Sequence, residues 1–86
     1  MQVIATHEVE DVDRWFSSPK RAEFFAARGM TATAFRDPSG QGSSVAVLIE
    51  APDMATLQAA LAEPEAAEAE AHDGVRVDTL QVLVAE

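Results

Sequence analysis

Val45-Ala46-Val47-Leu48-Ile49-Glu50 decides the fold, because it is apolar in both registers of a strand. Val45, Val47 and Ile49 point to one side, Ala46 and Leu48 to the other. A strand of an antiparallel sheet with one wet face alternates apolar with polar residues. This one asks for cover on both faces. The end of the chain has the same property, with Val75, Val77 and Leu83 set against Leu80, Val82 and Val84.

Working outward, Asp37-Pro38-Ser39-Gly40 matches a type I turn, and Gln41-Gly42-Ser43 lengthens it into a hairpin loop. The strand before that loop is Met30 to Arg36, and the one after it is Val45 to Glu50. Val3 to Val9, rich in apolar and β-branched residues, reads as the first strand. Between it and Met30, Asp11 and Asp13 mark a helix start, and Val12, Trp15 and Phe16 follow at helical spacing. Pro19 breaks that helix and restarts it, with Ala22, Phe25 and Ala26 on one face of Lys20 to Arg28. Gly29 stops it. Of the aromatic residues here, Phe16 and Phe25 are expected in the core.

Downstream, Pro52 ends the third strand and Asp53 caps a second helix with Met54, Leu57 and Leu61 as its stripe. Pro64 restarts it. The run from Ala62 to Ala71 alternates two strong helix formers and reads as a thin, solvated helix. His72-Asp73-Gly74 closes it, and Val75 to Ala85 is the last strand.

The order is therefore strand, helix, strand, strand, helix, strand. Right-handed crossovers place both broken helices on one face of a four-stranded antiparallel sheet, a ferredoxin-like βαββαβ domain of class α+β. The whole chain, 1–86, forms this single domain. Two helices cover one sheet face only, and a second copy is the cheapest cover for the other. A homodimer with two sheets packed into a dimeric α+β barrel is the expectation.

Composition narrows the partners. With 15 acidic and 6 basic residues the net charge is −9, which disfavours nucleic acid and anionic lipid surfaces. There is no Cys, hence neither disulfide nor thiolate metal site. No apolar run approaches the roughly 20 residues of a membrane span. The opening residues lack a basic region and cleavage site, so a cytoplasmic location is expected. Heavy use of Ala, with Arg over Lys, fits a bacterial source.

The stretch His7-Glu8-Val9-Glu10-Asp11-Val12-Asp13-Arg14-Trp15, the Pro64-Glu65 restart and the closing His72-Asp73-Gly74-Val75 resemble the dimeric α+β barrel superfamily, in particular its short bacterial members. The resemblance covers the whole chain and concerns fold more than chemistry. It implies a homodimer with a pocket between sheet and helices or within the barrel. Relatives of this kind include antibiotic-biosynthesis-type monooxygenases, polyketide cyclases and haem-degrading oxygenases. The monooxygenases and haem-degrading members rely on a pocket Asn, and some cyclases on a Tyr with a His. This chain contains neither Asn nor Tyr. No catalytic set of that family transfers residue by residue.

His7 is the candidate catalytic residue, an imidazole on a mid-sheet strand able to act as general base near neutral pH. The ordinary alternative is a packed histidine bonded to a carbonyl or carboxylate. Trp15 and Phe35 are candidates to shape a pocket for a small aromatic or polyketide-like ligand. Arg36, at the end of its strand, is a candidate anchor for an anionic group, against the plainer role of a solvated hairpin charge. His72 is a candidate ligand contact, although capping a helix end explains it too. Neither histidine has metal-site spacing, so no metal is expected. Without a glycine-rich phosphate loop or nucleophile elbow, no cofactor is expected either.

Two function classes remain. One is a cofactor-independent monooxygenase or cyclase with His7 as base. The other is a binding or structural module. A barrel packed solid would exclude the first; a cavity lined by His7 and Trp15 would favour it.

Overall fold

The computed structural model describes residues 1–85; Glu86, the last residue of the expected domain, lies outside them. Its elements are β1 (Gln2–Val9), α1 (Val12–Ser17), α2 (Lys20–Ala26), β2 (Thr31–Arg36), β3 (Ser44–Glu50), α3 (Met54–Leu61), α4 (Pro64–Asp73) and β4 (Val75–Val84). The strands form one antiparallel sheet in the order β2-β3-β1-β4. This is the ferredoxin-like α+β arrangement expected from the segment order.

Local chemistry sets the helix limits. Asp11 caps α1, its Oδ1 accepting from the Arg14 N–H at 3.1 Å. Extended Ser18 ends α1 just ahead of Pro19. Asp53 caps α3 in the same way, accepting from the Thr56 N–H at 2.7 Å. Pro64 opens α4, where its missing N–H costs nothing. Gly74 closes α4 at φ +73°, and a Cβ there would stand 3.3 Å from that of Glu10. Its carbonyl accepts from the Glu10 N–H at 2.9 Å, so the turn is fastened to the end of β1.

The helix side of the sheet carries Val3, Ala5, His7 and Val9 from β1 and Val45, Val47 and Ile49 from β3, all buried. Trp15 and Leu57 press onto them from above at 1% exposure each, the deepest large side chains in the molecule. Arg28 ties the end of α2 to the start of α4. Its guanidinium meets Glu63 at 2.7 and 2.9 Å and Glu65 at 2.7 Å.

Two packing expectations change. Phe16 is not in the core: it is exposed, with the Arg36 guanidinium 5.4 Å from its ring centre. Helix α1 has only six residues, and Trp15 takes its inward direction. The alternation of β4 also fails. Thr6 pairs with Gln81 and Glu8 with Arg76, so two steps along β1 span five along β4. At this bulge the Glu8 N–H donates to Thr79 Oγ1 at 2.8 Å, and that hydroxyl donates to the Arg76 carbonyl at 2.6 Å. The register shift puts Val75, opposite Val9, on the same helix side as Val82 and Val84, opposite Ala5 and Val3.

The other face of the sheet is open. Across it runs the row Leu83–Ile4–Leu48–Thr33, then the row Gln81–Thr6–Ala46–Phe35. Glu50 and Gln2 border these rows at one end, Arg76 and Glu8 at the other. Ile4, Leu83 and Phe35 are 44%, 50% and 50% exposed.

Candidate functional site

Helix α4 turns Ala66, Ala69, Glu70 and Asp73 inward, at the i, i+3, i+4, i+7 spacing of one helix face. Alanine methyls cannot reach the sheet across a normal helix-to-sheet separation. A partly open cavity of about 100 Å³ remains beneath the helix. Its floor is Val3, Ala5 and His7 of β1 with Val47 and Ile49 of β3; Leu80 and Val82 of β4 form a flank. Its roof is Trp15, Phe24, Phe25 and Leu57. Four polar side chains interrupt an otherwise apolar wall: His7, Arg21, Glu70 and Asp73.

His7 is 8% exposed, and its Nδ1 finds no hydrogen-bond partner among the described residues. Its ring stands edge-on to Trp15, 5.5 Å between centroids at 83°. Burial pushes the imidazole pKa down and the positive charge of Arg21 pushes it further, with the residue's own backbone acting against both. At neutral pH His7 is thus neutral, one ring nitrogen carrying a lone pair and the other a proton.

Arg21 lies over the same indole, its guanidinium carbon 4.0 Å from the ring centroid. Its Nη1 donates to the Trp15 carbonyl at 3.4 Å. Burial lowers its pKa, with the Asp73 carboxylate acting against that. Asp73 is only 3% exposed, and its Oδ1 lies 2.8 Å from His72 Nδ1. Burial raises the Glu70 pKa, favouring its neutral form.

The sequence candidates separate. His7 and Trp15 come together in the cavity. Phe35 does not join them; it lies on the opposite sheet face, opposite Ala46. Arg36 stands apart as well, held by Asp13 at 2.8 Å in a strap from β2 to α1. The His72 ring lies outside, bonding the cavity's Asp73, while its carbonyl accepts from Arg14 Nε at 3.1 Å. Sequence reasoning missed Arg21, Glu70 and Asp73. A signal for each was present: Arg21 precedes Phe24 and Phe25 by three and four residues, and Glu70 and Asp73 follow Ala66 by four and seven. Among the described residues no three His, Asp or Glu side chains converge as a metal site would require.

No family model matches the sequence, and no curated protein matches it closely. Solved structures do match in shape. One is described as a cofactor-independent oxygenase, SnoaB, from Streptomyces nogalater: 18% identity over 99% of this chain and 91% of that one, with a TM-score of 0.67. Another is described as an antibiotic biosynthesis monooxygenase: 19% identity over 99% and 97% of the two chains, with a TM-score of 0.60. At such identities the likeness is one of fold. The chain shares with these structures the ferredoxin-like α+β fold.

Proposed function

We propose that this protein is a homodimer that binds a small apolar or aromatic molecule in the cavity between sheet and helices. One observation carries the reading: an apolar cavity with a buried, unpartnered imidazole nitrogen set against its tryptophan. A structural histidine would bond its Nδ1 to the chain. A cavity of about 100 Å³ is of the order of the ~150 Å³ engineered cavity that takes up benzene. A single ring fits; a fused polycyclic molecule would protrude through the opening. The second copy is supported by the uncovered Leu83–Ile4–Leu48 row and Phe35 on the far face of the sheet.

A second reading is favoured by the neutral state of His7. Such an imidazole can take a proton from an activated C–H or O–H of a bound ring compound, as a cofactor-independent monooxygenase or a cyclase requires. Under this reading His7 is the general base, and Trp15 holds the ring.

Trp15 is the chain's one tryptophan, so its fluorescence reports on the cavity directly. Titration with benzyl alcohol is expected to change that emission saturably. The Ala69→Leu variant, which fills the cavity, is expected to abolish the change with the fold intact. An emission indifferent to benzyl alcohol and to a panel of other single-ring compounds would end the binding reading. For the enzyme reading, His7→Ala is expected to remove turnover of any substrate found while the uncharged benzyl alcohol still changes the Trp15 emission.

A further inference from the structure

We propose that the ligand is a single-ring acid whose carboxylate is received by Arg21 and by Nδ1 of His7. The proposal rests on the cavity being a ligand site and adds the charge and anchor of what fills it.

The first observation is a missing counter-ion. Of the five arginines, Arg14, Arg28, Arg36 and Arg76 each have a carboxylate within 4.0 Å. Arg21 has none among the described residues, in a chain with 15 acidic side chains. Yet Arg21 lines the cavity, where a cation that no carboxylate touches is costly, and the charge of Asp73 reaches it without a direct ion pair. Of its five N–H donors, one is engaged among the described residues, in the 3.4 Å contact to the Trp15 carbonyl. Stacking on the indole occupies the face of the guanidinium and leaves its edges for in-plane bonds. Those edges match the two oxygens of a carboxylate.

The second observation is independent of the first. His7 lines the same cavity, and its Nδ1 is buried without a hydrogen-bond partner among the described residues. As the N–H tautomer it donates to an anionic oxygen, and both orphaned donors are then satisfied by one group. Both touch Trp15, Arg21 across the face of the indole and His7 edge-on, so one group placed beside the indole could reach both.

The remaining charged groups of the cavity are Asp73 and Glu70. Asp73 is engaged by His72 Nδ1 at 2.8 Å, and burial raises the Glu70 pKa. Arg21 is the one arginine or lysine of the lining, so it is the group an incoming anion would meet, and its charge is felt at His7.

Benzoate, benzyl alcohol and benzylamine share one ring and differ in charge. Each is titrated into the intact protein, followed by Trp15 emission and by the NMR signals of the Arg21 Nε–H and the His7 ring. Benzoate is expected to bind at least about tenfold more tightly than benzyl alcohol, the scale of a hydrogen bond to a charged group. It should shift both side-chain signals. Arg21→Gln is expected to bring benzoate down to the level of benzyl alcohol without weakening the alcohol, whose retained binding shows the cavity intact. Benzoate binding no better than the alcohol would overturn the acid and leave the cavity reading standing. Preference for benzylamine would overturn it in favour of Asp73 and Glu70 as anchors. If none of the three binds, the cavity reading fails and this proposal with it.

Discussion

Trp15 gives one face of its ring to an arginine and meets a histidine edge-on, and burial lowers the pKa of both neighbours. His7 therefore makes stability depend on pH. Its folded pKa lies below the ordinary 6.5, so between the two values the unfolded chain binds more protons than the folded one. Stability is full above 6.5 and falls as pH drops through that window. Urea midpoints are expected to decline from pH 7.5 to pH 5.5, with the decline much reduced in His7→Leu; equal declines in both proteins would refute it. The sheet face of His7 was not legible: core and barrel side were both open to it, and packing selects the side of Val3, Ala5 and Val9. Nor was the face of Phe35, since bulk usually marks the buried side of a strand. Here Phe24 and Phe25 of α2 supply the bulk, and Ala32 and Ala34 are what fits beneath them on β2.

Among the elements, β4 departs most from a simple strand. Its bulge depends on a hydroxyl standing in for a ladder carbonyl, since Thr79 Oγ1 receives the Glu8 N–H. Thr79→Val keeps the shape and removes the acceptor. A loss of about 1–2 kcal/mol in unfolding free energy is expected, with faster hydrogen exchange at the Glu8 amide. An unchanged exchange rate would show that the ladder closes without the hydroxyl. The alternation of Val75 to Ala85 conceals this bulge, because apolar residues stand in both registers and no glycine or proline marks the shift. The helices were far more legible. Asp11, Asp53, Pro19, Pro64 and Gly74 each act through chemistry local to the chain, and each sits at the helix end it was expected to make. The inward acids of α4 were hidden in an Ala/Glu run whose buried side only tertiary packing selects.

For the molecule as a whole, the order of segments and the handedness of crossovers leave one economical topology, and the sheet order follows it. The uncovered face raises a different matter, because its partner surface would lie on another copy. Leu48 sits in the middle of that face, between Ile4 and Thr33, and is half-buried within one chain. Sedimentation of the native protein at micromolar concentration is expected to give twice the chain mass, and Leu48→Glu a folded species of single mass. A native protein that sediments at single mass would remove the dimer. A last consequence belongs to the alanines of α4. The sheet sets the architecture, while the vacant space is measured out by a helix that turns the small Ala66 and Ala69 toward it. The size of the cavity can then change by one methyl group at a time at those positions, without touching the strands that keep the domain folded. The scaffold is in this sense evolvable: what it accommodates and what holds it together are written in different residues.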